Sequence, residues 1–153
     1  MKIREAKIQY NTISDGEVFP LSTPNEVYLY SKRFLKASNL DPEQEHFCVI
    51  ALDRKNKPKG VSVVSSGTLT ASLVHPREVF RYAVLQNAAA VIVFHNHPSG
   101  DPAPSRADIQ VTRQIRESAK IIGIDLIEHL IIGDLLDDPQ NIGHYSFNEA
   151  GLI

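Results

Sequence analysis

The chain has 153 residues, of which 42% are hydrophobic and 22% charged, values that are ordinary for one globular domain with a sizeable core. Its 16 basic and 18 acidic residues give a net charge of −2, which argues against a nucleic-acid binder that relies on many phosphate contacts. No stretch approaches the roughly 18 apolar residues of a membrane span, and residues 1–10 lack a signal-peptide core. The single cysteine, Cys48, lies in an apolar run and is expected to be a buried, unreactive thiol. Because it cannot form an internal disulfide, we expect a reducing compartment, the cytoplasm.

The first half of the chain predicts a helix followed by a hairpin. Residues 22–39 have apolar side chains at helical spacing, and Ser22 or Thr23 could cap the helix. An apolar run and an alternating run predict a hairpin over 46–66. The turn at 53–60 carries four basic residues against one acid and is interpreted as a solvated hairpin tip. The side chains expected on the buried face of the helix are Val27, Tyr30, Phe34 and Leu35.

The second half alternates helices with apolar strands. Residues 75–89 and 105–122 predict helices, whereas 90–94, 124–134 and the beginning of 144–153 predict strands. This order is typical of an α/β fold, a three-layer sandwich with a mixed sheet. The side chains expected to point inward from the two helices are Val79, Tyr82, Ala83 and Leu85, and then Ile109, Thr112, Ile115, Ala119 and Ile122.

The stretch "HNHPSGDPAPSRAD", residues 95–108, predicts a metal site. His95 and His97 leave a buried strand two residues apart, so an extended backbone points both imidazoles to one face. A stiff turn rich in proline and glycine then returns the chain to a helix, whose first turn contains Asp108, and this carboxylate could supply a third ligand. Two imidazoles, one carboxylate and an open fourth position describe a catalytic zinc site. Bound zinc lowers the pKa of its water to about 7.

Hydrolysis at such a site also needs a general base and a group that stabilises the oxyanion. Glu45 begins the first apolar strand and could stand beside the metal if that strand neighbours 90–94. Glu43, two residues before Glu45, would point to the same side of the strand and is the second candidate for the general base. The hydroxyl of Ser105 could face the oxyanion that forms when hydroxide attacks a carbonyl.

Two plainer interpretations compete with a metal site. The pattern S-x-x-D is close to a capping box, so Ser105 and Asp108 could do no more than cap a helix. A pair of histidines with one residue between them is also common on protein surfaces. When the two patterns occur together, with the histidines at the end of a buried strand, they favour the metal. Capping and metal binding are compatible, because Ser105 can cap the helix and still face the site.

Other polar residues give weaker signals. His129 could orient a metal ligand, but a hydrogen-bonded structural histidine is the favoured interpretation. His75 is expected to help start a helix, and His46 and His144 are expected to be surface residues at strand ends. Asp101 could cap the backbone of the turn or line a substrate groove, and the first is favoured.

These motifs resemble a known family. The spacing H-x-H, seven residues, S-x-x-D resembles that of the JAMM (JAB/MPN) metalloproteases, and "HNHPSGDP" resembles the RadC-like branch. From Glu45 to Ile153 further motifs of that branch follow in order, among them "EHFCVIALD", "HPREVF", "GIDLIEHLIIGD" and "YSFNEAG". The resemblance implies a cytidine-deaminase-like α/β/α sandwich, with a RadC-like JAB/MPN domain over 45–153 and a strand and helix in 1–44 that flank its core. The whole is expected to be a single globular unit.

The resemblance also implies an activity and its residues. The implied zinc ligands are His95, His97 and Asp108, the implied activator of the water is Glu45, and Ser105 would stabilise the tetrahedral intermediate. The implied reaction is zinc-dependent hydrolysis of a peptide or isopeptide bond in a peptide or protein substrate.

Two departures from the family pattern bear on function. RadC proteins usually carry an N-terminal helix-hairpin-helix region, which residues 1–44 do not show, so we expect a short, stand-alone member. The family's Asp-His pair in the penultimate strand is Glu128-His129 here. The family label "DNA repair" suggests a nucleic-acid-associated protein as one alternative, and a metal-bound interaction module without peptidase activity is another. An edge strand at 1–10 could also pair two copies in a homo-oligomer.

Overall fold

The computed structural model describes residues 17–67 and 74–153, in which three helices and five strands occur. The predicted edge strand at 1–10 lies outside the described residues. Within the described parts of the chain, no helix is long and apolar enough to cross a membrane. The elements in chain order are α1 (Pro24–Ala37), β1 (Glu45–Leu52), β2 (Pro58–Gly67), α2 (Pro76–Leu85), β3 (Ala90–Asn96), α3 (Arg106–Ile122), β4 (Asp125–Ile132) and β5 (His144–Ser146).

The five strands form one mixed sheet in the order β2-β1-β3-β4-β5. Strands β3 and β4 are parallel, and the other neighbouring pairs are antiparallel. The central strand β3 is buried from Ala90 to His95, as expected for a wholly apolar strand with both faces covered. Phe47 of β1 lies opposite His95 of β3. The two strands are therefore neighbours, as a role for Glu45 at the metal site requires.

The helices cover both faces of the sheet, which confirms the three-layer α/β/α sandwich. Alternate residues of a strand point to opposite faces. Phe47 and Val93 therefore pack in one core with α2 and α3, whereas Ile50 and Phe94 pack in a second core with α1. His95 has the same parity as Val93, which directs its imidazole to the face that α3 covers.

Helix α1 begins as the sequence predicts. Thr23 is its N-cap and forms a capping box with Glu26, and Val27 is buried. The helix packs on β4 and contributes to the same core as β1 and β3, with Tyr30, Phe34 and Leu35 partly buried. The division of the chain between residues 44 and 45 stays a prediction.

Two side chains expected in the core are exposed instead. Leu85 is 37% exposed and Ile122 is 44% exposed, and each is the last residue of its helix. Leu85 follows the buried Ala83 by two residues, about 200° around the helix, so it faces away from the sheet. Ile122 shares a face with Ala119, but the chain leaves the helix at the next residue. The inward position near the start of α2 belongs to Phe80, which the sequence pattern missed.

Candidate metal centre

Three side chains converge at the end of β3 and the start of α3. Nε2 of His95 lies 3.1 Å from Nε2 of His97 and 3.2 Å from Oδ1 of Asp108. Nε2 of His97 lies 3.3 Å from Oδ2 of the same carboxylate. His95 is fully buried, Asp108 is 5% exposed, and the three groups together could hold a metal ion. The structure thus brings together the three residues that the sequence predicts as ligands.

The turn after β3 carries the chain from the histidines to the helix. The N–H of His97 donates to the carbonyl of Ile132 at 2.9 Å, which extends the pairing of β3 with β4 by one residue. Gly100 has φ 85° and a Cβ there would lie 2.5 Å from a carboxylate oxygen of Asp137, so the turn requires glycine. Oδ1 of Asp101 accepts the N–H of Ala103, which confirms Asp101 as a backbone cap of the turn.

The N-terminus of α3 has a complete capping box. The N–H of Asp108 donates to Oγ of Ser105 at 3.1 Å, and the N–H of Ser105 donates to Oδ2 of Asp108 at 2.8 Å. These bonds fix the rotamer of the carboxylate while its Oδ1 faces His95. Ser105 and Asp108 can therefore cap the helix while Asp108 also faces the histidines, as the sequence predicts.

A chain of hydrogen bonds fixes the tautomer of His95. The hydroxyl of Thr112 donates to the carbonyl of Asp108 at 2.8 Å, so its oxygen accepts from Nδ1–H of His129. Nε2 of His129 then carries a lone pair and accepts Nδ1–H of His95 at 2.9 Å. His95 is consequently left with a lone pair on Nε2, which points into the cluster.

A different hydrogen bond leaves His97, like His95, with a lone pair on Nε2. Its Nδ1–H donates to the carbonyl of Asp101 at 2.9 Å, leaving the lone pair of Nε2 for the cluster. Two imidazole lone pairs and a carboxylate therefore face one another, a donor set that a cation stabilises. A tetrahedral zinc ion with bonds of about 2.0–2.1 Å holds its ligand atoms about 3.3 Å apart. The observed separations of 3.1–3.3 Å fit such an ion.

Burial and the charge of Asp108 act on the pKa values of the two histidines in opposite directions. Burial lowers the pKa of His95, and the carboxylates of Asp108 and Glu45 offset this only in part. Burial also lowers the pKa of His97, but in metal-free protein the bonds to Asp108 and the Asp101 carbonyl outweigh it and raise that pKa above its usual value, because they stabilise a proton on Nε2 that a bound metal ion would replace. Burial would raise the pKa of Asp108, yet in metal-free protein the two imidazoles, which donate to the carboxylate once they carry a proton on Nε2, hold that pKa well below its usual range. The carboxylate is therefore ionised, as a metal ligand must be.

Glu45 lies close to the cluster at the first residue of β1. It is half-buried, and its negative charge raises the pKa of both His95 and His97. Glu43 lies exposed in the turn before the strand. Of the two carboxylates that the sequence offers as general base, Glu45 is thus the one whose charge acts on the histidines.

His129 combines the two tasks that the sequence left open. It is fully buried, stacks on Phe147 with ring centroids 4.4 Å apart, and holds His95 through Nε2. Its partner Thr112 had been expected only as part of an apolar stripe. The spacing of Thr112 four residues after Asp108, on the same helix face, was the signal that could have found it.

Glu128 lies on the other face of the sheet from His129. It pairs with Ile92, whose side chain belongs to the α1 core, and accepts hydrogen bonds from Ser146, His129 N–H and Asn148 N–H. Burial raises the pKa of Glu128, which these bonds offset in part. The carboxylate of Glu128 therefore holds β5 and the turn after it through hydrogen bonds and does not face the metal cluster.

Two histidines expected on the surface are buried wholly or in part. His46 is buried, with Nδ1 2.7 Å from Oγ of Ser66 and Nε2 2.6 Å from the carbonyl of Asp41. His144 is half-buried against the ring of Tyr28, with centroids 5.0 Å apart. The expectation was wrong for His46, because the turn at Asp41 covers it, and His144 is only partly at the surface, because helix α1 packs against it. His75 is the exposed N-cap residue of α2, as predicted. Cys48 is buried, and burial raises the pKa of its thiol to about 12.

Comparison with known proteins agrees with this geometry. The model of the RadC-like JAB domain matches residues 21–152. A UPF0758 protein of Methanosarcina mazei is 47% identical over 116 residues, which is 74% of this chain and 48% of that protein. A UPF0758 protein of Symbiobacterium thermophilum is 50% identical over 109 residues, 71% of this chain and 44% of that protein. A UPF0758 protein of Geobacter sulfurreducens is 44% identical over 133 residues, 86% of this chain and 53% of that protein.

The chain spans about half the length of the curated relatives that it matches. The names of these relatives state no activity. The match to the domain model, in contrast, covers most of the chain and includes every residue of the cluster. The chain belongs to the RadC-like JAB domain family.

Proposed function

We propose that this chain is a zinc-dependent hydrolase of the JAMM type that cleaves peptide or isopeptide bonds. The observation that carries the proposal is the cluster of His95, His97 and Asp108, whose ligand atoms lie 3.1–3.3 Å apart beside the carboxylate of Glu45. Three protein ligands and an open fourth position are typical of catalytic rather than structural zinc. The substrate in this proposal is a peptide or protein in the cytoplasm, where Cys48 stays reduced.

Zinc bound here would polarise the scissile carbonyl and lower the pKa of a coordinated water to about 7. The protein's own residues would do the rest. Glu45 takes a proton from the attacking water and delivers it to the leaving amine. The hydroxyl of Ser105 accepts the N–H of Asp108, which leaves its own proton free to donate to the developing oxyanion. His129 and the carbonyl of Asp101 hold the two imidazoles in the tautomer that ligation requires.

Replacement of Glu45 tests the proposal. Glu45→Gln keeps the shape of the side chain but removes the base, so we expect unchanged zinc content and a loss of about 10²–10⁴-fold in kcat. The measurement is the cleavage of a peptide library and of a lysine-linked isopeptide by the zinc-loaded protein. Glu43→Gln is the matched control from the exposed turn and should keep its activity within about twofold, as is usual for surface changes.

One result would overturn this function and another would overturn the role of Glu45. The first is a zinc-loaded wild-type protein that cleaves neither substrate. The second is a Glu45→Gln variant with full activity, which would remove the base from the mechanism while leaving the metal site untouched.

A further inference from the structure

The backbone around Glu45 lies where the pairing of two strands ends. The last residues of β1 and β3 that pair are Phe47 and His95. Beyond them the chain of β3 turns towards β4, since the N–H of His97 donates to the carbonyl of Ile132. On its other side, β1 continues to pair with β2 as far as Glu45. The residues before Phe47 therefore lose the backbone of β3 as a partner.

The side chain of Asn96 replaces that missing partner. Its Oδ1 accepts the N–H of His46 at 2.8 Å, and its Nδ2 donates to the carbonyl of Gln44 at 2.9 Å. A carboxamide has the same donor and acceptor as a peptide group, so the side chain continues the hydrogen-bond ladder where the backbone turns away. Glu45 is the residue between the two bonds and is held on both sides.

These bonds tie Glu45 to the strand that carries the histidines. Asn96 is the residue between His95 and His97, so any shift of β3 at the cluster is passed to the backbone of Glu45. Neither bond of Asn96 uses a ligand atom of the cluster, and the three ligands have hydrogen-bond partners of their own. The removal of Asn96 should therefore move the base and leave the metal ligands in place.

We propose that Asn96 is a positioning residue that fixes Glu45 at the metal site by clamping the backbone on both sides of it. The proposal rests on the proposed function, in which Glu45 moves the proton. A base is effective only within hydrogen-bond reach of that proton, and a displacement of about 1 Å can cost on the order of 10²-fold in rate. The clamp provides this placement without contacting substrate.

The first test measures the hydrogen bonds of Asn96 by amide exchange and does not depend on hydrolysis of a substrate. Asn96→Ala removes both bonds, so the amide of His46 should exchange its hydrogen about tenfold faster in native protein. Asn96→Asp keeps an acceptor for that amide and should exchange more slowly than the alanine variant. Asn148→Ala is the matched control, because Asn148 donates to the carbonyl of Ile127 at 3.1 Å and its loss should not affect His46. An unchanged rate in Asn96→Ala overturns the clamp, whether or not the protein hydrolyses peptides.

The second test asks whether the clamp acts through Glu45. Asn96→Ala should keep its zinc and its KM while kcat falls about 10- to 100-fold. In the Glu45→Gln background the same change should cost nothing further, because the base is already absent. An equal loss in both backgrounds, or a loss of zinc, would show that Asn96 acts in another way and overturn the proposal. A wild-type protein without activity would refute the proposed function, and the exchange rates would then decide on the clamp alone.

Discussion

Helices α1 and α3 both begin with a capping box, but only the capping box of α3 contributes a side chain to the candidate metal site. At α1 the N–H of Glu26 donates to Oγ1 of Thr23 at 3.3 Å, and the N–H of Thr23 donates to Oε2 of Glu26 at 2.9 Å. At α3 the equivalent bonds join Ser105 and Asp108 at 3.1 and 2.8 Å. As capping boxes the two are equivalent.

Their surroundings make the difference. Glu26 is exposed, and backbone N–H groups of Ser22 and Thr23 lower the pKa of its carboxyl. Asp108 is buried against the end of β3, where two imidazoles face its carboxylate and, when protonated on Nε2 in metal-free protein, hold its pKa far lower. A capping carboxylate thus becomes a metal ligand when a neighbouring strand end supplies further ligands. The spacing S/T-x-x-D/E alone does not separate the two cases.

The largest effect expected from this comparison is on metal affinity. Asp108→Asn retains an oxygen that can accept the N–H of Ser105 but loses the negative charge, so zinc affinity should fall by at least about 100-fold. Glu26→Gln makes the same chemical change in the exposed box and should leave zinc affinity within about twofold. Competition with a chromophoric chelator measures both. Equal affinities in the two variants would mean that Asp108 only caps its helix.

The hydroxyls of the two boxes should differ in a second way. Thr23→Ala and Ser105→Ala each remove a helix cap and should cost about 1 kcal/mol of the free energy of unfolding, measured by urea denaturation. Only Ser105→Ala should also lower kcat, by on the order of 10²-fold, if its proton stabilises the oxyanion. A Ser105→Ala variant with normal kcat would confine Ser105 to capping.

The smallest expected effect concerns the order in which the carboxyls of Glu26 and Asp108 take up a proton in metal-free protein. Both carboxyls have a folded-state pKa below the unfolded value, so each stabilises the fold above its unfolded pKa and loses this as pH falls through the folded pKa. Since the pKa of Asp108 is held lower, the carboxyl of Glu26 should take up its proton first on acidification. Carbon-detected NMR of the two carboxyls follows this directly, and the reverse order would show that the protonated imidazoles do not stabilise the charge of Asp108.

The parts of the site that the sequence predicted are the local ones. His95, His97, Ser105 and Asp108 fall within a strand end, a turn and a helix cap, whose geometry follows from local periodicity and turn chemistry. Glu45 required one tertiary assumption, that β1 neighbours β3, which the sheet supports.

The parts that the sequence missed depend on which segments meet in space. Asn96 and the carbonyl of Asp101 have no pattern that marks them as partners of Gln44 or His97. Thr112 was predicted only as part of an apolar stripe, because its spacing from Asp108 shows their common helix face but not that His129 packs against that face. His46 looked like a surface residue because no sequence pattern shows that the turn at Asp41 folds back over it or that Ser66 of β2 reaches its ring.

X-ray absorption at the zinc edge of the zinc-loaded protein tests the central claim most directly. The account predicts one zinc per chain with two imidazole ligands, His95 and His97, and otherwise light oxygen or nitrogen donors. His129 should remain outside the coordination sphere, because its Nε2 is hydrogen-bonded to His95. A spectrum with three imidazoles or with a sulfur ligand would contradict the account, as would a chain that takes up no zinc.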